Sequence, residues 1–305
     1  MKSKRFNIAT FLVFGFLAVT FSVTALAQSG DEPPSGNPGA WRDPDFAPDK
    51  APGGPAQKHD ISGMWGTLRG QDGVQAGGVQ AEPNDGKPEH QLPFTPYGLK
   101  VYKSHKPLEG FDAVPPGQYN DPRELCEPLG FPRSNHYQVR LMQIFQDNYK
   151  VAVLYQYDNR WRFMWTDGRP LPTVVDGGVK TGDRYQDQRF YGFSVGKWVD
   201  DTTLVVDTVG TLPEDRVWLD ATGRVISDKI KVTETYHRVD AKTLELSETI
   251  DDPKIYTKPW QTINKLRFKL QDPHTDVLEF DCSPVEQKRY DDLATHGADF
   301  DKSAK

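Results

Sequence analysis

The chain has only two cysteines, Cys126 and Cys282, in 305 residues. Neither has the C-x-x-C partner that redox catalysis or a structural zinc site uses. Its seven histidines, at 59, 90, 105, 136, 237, 274 and 296, include no i, i+2 or i, i+4 pair, the spacings that put two metal ligands on one strand or helix face. No metal is therefore expected. A glycine-rich phosphate loop, a kinase signature and a basic stripe are all missing from the sequence, so no cofactor is expected either. The formal net charge of −6 disfavours nucleic acid, whose affinity comes largely from Lys and Arg neutralising phosphates. Past the amino-terminal segment no stretch reaches the roughly 18 apolar residues that span a bilayer. The expected partner that remains is a small-molecule ligand or substrate.

What is present begins with that segment. Lys2, Lys4 and Arg5 precede an apolar run from Ile8 to Val23, and Ala25-Leu26-Ala27 closes it. This order predicts a secretory signal peptide over 1–27, cleaved near Ala27, and a periplasmic or secreted mature chain. In an oxidising compartment Cys126 and Cys282 are expected to pair as a disulfide, the alternative being two structural thiols. Residues 28–58 hold seven prolines and five glycines and few aliphatic side chains. Such a segment buries too little apolar surface to offset its ordering entropy and reads as a disordered leader. A single domain is expected over 59–305.

Within that domain, 61–68 reads as a first strand and 94–105 as a short helix with Pro96 in its first turn. From about residue 138 the apolar period becomes 2. Strands are expected at 139–145, 149–157, 160–166, 190–199, 202–209, 229–238, 243–250, 261–269 and 276–281, with tight turns such as Asp158-Asn159 and Asp200-Asp201. Ser283-Pro284-Val285-Glu286 is a capping box that opens a terminal helix to about Leu293. Successive strands without intervening helices exclude a βαβ sheet. The expected fold is all-β and antiparallel, a lipocalin-like (calycin-like) β-barrel with a short C-terminal helix, the alternative being a β-sandwich.

Several pieces carry a resemblance: Ser194-Val195-Gly196-Lys197-Trp198, Thr203-Leu204-Val205-Val206-Asp207-Thr208, Trp218-Leu219-Asp220, Val232-Thr233-Glu234, and Asp251-Asp252-Pro253-Lys254-Ile255-Tyr256-Thr257-Lys258-Pro259-Trp260. With these, the stretch 194–260 resembles a family of exported bacterial proteins of unassigned function. The resemblance implies shared architecture and no activity. This chain has Val225-Ile226 where that family has Pro-His, and Phe193 where it has His, so a role built on those histidines does not transfer.

Three patterns bear on chemistry. Gly192-Phe193-Ser194-Val195-Gly196 matches the G-x-S-x-G nucleophile elbow, but a turn and another strand follow where that motif needs a helix. The alternative is a strand interior packed through small residues. Alternation also places acids on apolar strand faces: Glu234 with Ile230, Val232 and Tyr236; Asp207 with Val205 and Val209; Glu248 with Leu244, Leu246 and Ile250. A desolvated carboxylate has a raised pKa and serves as general acid or base near neutral pH. Against this stands a structural reading, in which Arg140, Arg160 or Arg162 pairs with each acid, or the parity is reversed. Finally, Trp161, Phe163 and Trp165 share one strand face and Tyr155 and Tyr157 another, either as core or as lining for a flat ligand.

Two functions follow as expectations. One is an exported, cofactor-independent enzyme of lyase, isomerase or hydratase type, acting on a small apolar or aromatic molecule inside the barrel. Glu234 or Asp207 would transfer the proton, Tyr191 or Tyr236 would donate a hydrogen bond, and His136 would be an auxiliary base. The other is a non-catalytic, lipocalin-like carrier of a hydrophobic small molecule. In either, Tyr155, Trp165, Tyr236, Trp218 and Arg140 are the expected ligand contacts.

Overall fold

The computed structural model describes residues 44–68, 77–136, 141–173, 175, 187–213, 215–277, 279 and 281–296. Nine strands form one closed barrel: β1 (Gly63–Thr67), β2 (Leu141–Gln146), β3 (Lys150–Tyr155), β4 (Arg160–Trp165), β5 (Phe193–Trp198), β6 (Thr203–Val209), β7 (Lys231–Arg238), β8 (Thr243–Asp251) and β9 (Trp260–Leu270). Each pairs with its neighbours in sequence, and β9 returns to pair with β1. Closure gives every strand a neighbour on both sides, which an open sandwich would not.

Three features differ from the sequence expectation. The pair β4–β5 is parallel, in register only at Met164↔Ser194 and Trp165↔Val195. A parallel return needs a connection of about a dozen residues or more, and the link between Trp165 and Phe193 supplies it. No strand forms at 276, 277, 279 or 281, because β9 already has β8 on one edge and β1 on the other. Residues 44–58 hold to the barrel: Lys269 pairs with Asp45 at 2.7 Å and Asp49 at 3.1 Å, and the Ala241 amide donates to Gly54. These ionic and backbone contacts replace the apolar burial that the segment cannot provide. The rest of the expected leader and the expected signal peptide lie outside the described residues.

Helices are few. In α1 (Pro96–Tyr102) the Thr95 hydroxyl caps the Gly98 amide at 3.0 Å. A single turn, α2 (Arg133–His136), is too short for any sequence periodicity to signal it. The terminal helix α3 (Pro284–His296) opens at the expected capping residue, Ser283 accepting from the Glu286 amide at 3.4 Å. Cys126 and Cys282 form a disulfide with a Cα–Cα distance of 5.4 Å, fastening the chain before α3 to the turn Pro122–Leu125. No helix among the described residues is long and apolar enough to cross a membrane.

Two apolar clusters flank a polar layer. Within the barrel, Trp65, Met142, Val153, Met164, Leu246 and Phe268 belong to one cluster. The second collects Phe131, Leu219, Ile226, Val232, Ile250 and Tyr256. Along β7, Val232 belongs to the second cluster and Tyr236 to the first, so Glu234 falls between them. Ile250 and Leu246 bracket Glu248 on β8 in the same way. The layer is thus set by strand alternation.

Candidate functional site

Glu234 and Glu248 are direct cross-strand partners, an arrangement that is destabilising for like charges unless something intervenes. Asn135 of α2 intervenes. Its amide nitrogen donates to Glu234 Oε1 and to Glu248 Oε2, both at 2.8 Å, while its carbonyl oxygen accepts from the Tyr155 hydroxyl at 3.2 Å. Arg162 from β4 grips Glu234 with two bonds, 2.9 Å to Oε1 and 2.5 Å to Oε2. The Tyr236 hydroxyl donates a further bond to Oε1 at 2.9 Å. Glu248 Oε1 meets His136 Nε2 at 2.7 Å and accepts from the Thr262 hydroxyl at 2.6 Å. Irregular pairing between β8 and β9 leaves the successive residues Thr262 and Ile263 both buried. A bulge of this kind re-aims a side chain, here the Thr262 hydroxyl.

The electrostatics follow from these partners. Burial pushes the Glu248 carboxyl up, but the His136 charge and the hydrogen bonds from His136, Thr262 and Asn135 outweigh it and hold the group below the usual range. Burial also works against charge on Arg162, yet Glu234 keeps the guanidinium well above its ordinary value. Tyr236 is raised by burial first and by the Glu234 charge second. Arg162 and His136 thus each face one of the two carboxylates. One atom is left over: His136 Nδ1 has no hydrogen-bond partner among the described residues.

The sequence-derived site residues divide accordingly. Glu234, Tyr236, Tyr155 and His136 lie together in the buried layer, and Arg162 is the cation that pairs with Glu234. Asp207 is a correction. It lies on the outer face of β6, half-exposed, bonded to the Thr233 hydroxyl at 2.6 Å and to Lys231 at 3.0 Å. Both faces of β6 are rich in valine, so alternation alone could not choose between them; Leu204, Val206 and Thr208 face inward. Trp165 also faces outward, with Trp161 and Phe163, because Arg162 and Met164 take the inner face of β4. Trp218 is buried away from the barrel interior, stacked on His105 with ring centroids 4.1 Å apart. Arg140 lies outside the described residues. Ser194 of the G-x-S-x-G motif is the second residue of β5, with its hydroxyl against Arg162 and Thr208, the geometry of a packed strand and not of an elbow. Asn135 and Thr262 are not among the residues the sequence points to, since neither a one-turn helix nor a bulge leaves a sequence signal.

Buried side chains of the first apolar cluster and the polar layer occupy the barrel interior, and a cleft opens at its wall. At the parallel seam of β4 and β5 a cleft of about 400 Å³ is lined by Phe163, Trp165, Phe190, Tyr191 and Phe193, with Arg162 and Ser194 at the buried end. Two guanidiniums stack on its aromatics, Arg169 at 3.5 Å from the Trp165 ring and Arg189 at 4.1 Å from the Phe193 ring. Arg169 is neutralised by Asp167 at 2.7 Å. Gly192 shapes one wall: its φ of +58° is left-handed, and a Cβ there would stand 2.6 Å from the Val209 carbonyl oxygen. Tyr191 bridges the cleft and the layer, its ring 6.3 Å from that of Tyr155. Among the described residues no group of three His, Cys, Asp or Glu side chains could hold a metal ion. No protein-family model, curated protein or solved structure matches the chain.

Proposed function

We propose that the chain is an exported binding protein that carries or senses a small, flat, predominantly apolar molecule, held in the cleft between β4 and β5. The observation that carries this reading is the cleft's composition: six aromatic side chains, Trp161 among them, around about 400 Å³, with a few polar groups converging at one end. Such a surface suits an aromatic ligand that stacks on rings and on guanidinium planes. A neutral ligand is favoured over an anion, since Arg162 and Arg169 already have carboxylate partners.

Binding is favoured over turnover by the state of the two inward acids. Glu234 and Glu248 lie in the buried layer with their oxygens engaged by Arg162, Tyr236, Asn135, His136 and Thr262. A general acid or base must reach its substrate's proton, and carboxylate oxygens already engaged in this buried layer have none within reach; the Glu248 carboxyl is moreover held below its usual range by His136 and its other hydrogen-bond donors.

The test is titration with N-phenyl-1-naphthylamine, a neutral aromatic probe whose fluorescence rises in apolar surroundings. Saturable binding is expected, weakened about tenfold by Trp165→Ala through loss of one stacking face. Lack of binding, or an unchanged affinity in Trp165→Ala with the fold intact by circular dichroism, would refute the reading.

A further inference from the structure

The outer face of β2, β3 and β4 is unusually apolar for a solvent-facing sheet. Register places Phe145, Ala152 and Phe163 side by side, with Leu154 and Trp161 in the adjoining row and Lys150 opposite Trp165. Phe145, Trp161 and Phe163 are 51 %, 47 % and 49 % exposed. Cations border these rings. Lys150 stands 5.9 Å from the Phe163 ring and 5.3 Å from the Trp165 ring, and Arg169 stacks on Trp165. Lys197, on the outer face of β5, is exposed. The acids beside them are Asp147, 3.9 Å from Lys150, and Asp167, paired with Arg169.

We propose that this face docks on the surface of a lipid bilayer containing anionic phospholipid. Two properties of the patch select that occupant. The first is area. Half of three aromatic side chains amounts to roughly 300 Å², well short of the ~800 Å² per partner that a stable protein interface buries. A second copy of the chain is therefore a poor fit, whereas a bilayer needs only a few rings inserted at headgroup depth. The second is charge. Lys150, Arg169 and Lys197 outnumber Asp147 and Asp167 on this face, although the whole chain carries −6. Tryptophan and phenylalanine flanked by lysine and arginine are what the boundary between acyl chains and headgroups accommodates. The rings enter, the stems lie along them and the charges stay with the phosphates.

The face is also where the seam cleft opens, since Trp161, Phe163 and Trp165 line both. Docking would bring the cleft mouth to the membrane, so an apolar ligand could pass between bilayer and cleft without crossing water. That last link rests on the proposed ligand-binding function; the docking itself does not.

Co-sedimentation of the full chain with vesicles tests it, using phosphatidylcholine alone and a phosphatidylcholine–phosphatidylglycerol mixture. Because the apolar run at 8–23 is common to all variants, the readout is the difference between variants. Phe145→Asp and Lys197→Gln lie on the face but outside the cleft lining. Phe145→Asp is expected to abolish the wild-type excess in the mixed-vesicle pellet. Lys197→Gln should lower partitioning there by about fivefold, with little change on phosphatidylcholine alone. Both should keep wild-type affinity for N-phenyl-1-naphthylamine and a wild-type circular dichroism spectrum. Pellets equal for wild type and Phe145→Asp would overturn the proposal, as would a solution dimer that Phe145→Asp dissociates. Vesicle binding without probe binding would leave docking standing and remove the ligand reading; the reverse would do the opposite.

Discussion

Replacing Arg162 by Met asks whether the polar layer is structural. The side chain is fully buried and makes two bonds to Glu234, two to the Ser194 hydroxyl and one to the Thr208 hydroxyl. Its removal leaves Glu234 with Asn135 and Tyr236 as partners, two neutral donors for a desolvated carboxylate. Breaking a buried pair from one side costs about 3–5 kcal/mol, because the remaining charge is uncompensated. For a domain of this size that lowers the melting temperature by roughly 10 °C. The companion variant Arg162→Met with Glu234→Gln removes the orphaned charge while preserving an acceptor for Tyr236. It should recover at least half of the loss, about 2 kcal/mol, so the two substitutions are far from additive. The assay is urea unfolding at neutral pH followed by tryptophan fluorescence, with equal denaturant slopes as the check that the unfolded state is unchanged. A cost below about 1 kcal/mol for Arg162→Met would refute the account of the layer. So would a double variant whose loss equals the sum of the single losses.

The disulfide closes a loop of 156 residues, so its reduction should destabilise the fold by up to about 5 kcal/mol. Thiol titration of the unfolded, non-reduced chain should find none; two titratable thiols would remove the cross-link from the structure. Glu248 sets an acid limit. Its carboxyl is held below the ordinary value of 4.5, so its contribution is complete above that pH and is lost as pH falls through the folded-state value. Glu248→Gln should therefore be less stable than wild type at neutral pH and converge on it in acid, and two parallel pH–stability curves would contradict the assignment.

The strands were legible because period 2 is a direct consequence of a sheet with one wet face. Eight of the nine follow from alternation after residue 138, and closure follows from their number and short turns. What alternation could not supply was the identity of the wet face wherever both faces are apolar. On β6, Val205 and Val209 look as inward as Leu204 and Val206, and the alternation carries Asp207 to the wrong face with them. On β4 the bulky Trp161, Phe163 and Trp165 looked like core, yet Arg162 takes the inside because Glu234 waits there. Glu234 and Glu248 read correctly because β7 and β8 alternate cleanly, with Thr233, Thr235 and Thr249 on the opposite face. Asn135, which makes two facing carboxylates tolerable, had no pattern to betray it, since its role depends on strands that lie about a hundred residues downstream.

The parallel seam gives a physical reason for the cleft's location. Every other neighbouring pair in this barrel has three or more residue pairs in register, whereas β4 and β5 have two. Below Met164 the inner side of β4 must therefore be closed by side chains in place of a ladder, and it is: Arg162 spans from β4 to Ser194 on β5, Thr208 on β6 and Glu234 on β7. An ion-paired guanidinium makes this closure polar where an aliphatic side chain would make it dry, and it leaves the adjoining outer space to Phe163, Trp165 and Tyr191. The weakest-paired joint of the barrel thus combines a rigid polar floor with aromatic walls. Opening there disturbs less of the ladder than at any other joint, which is why a ligand site at the seam is compatible with a closed barrel.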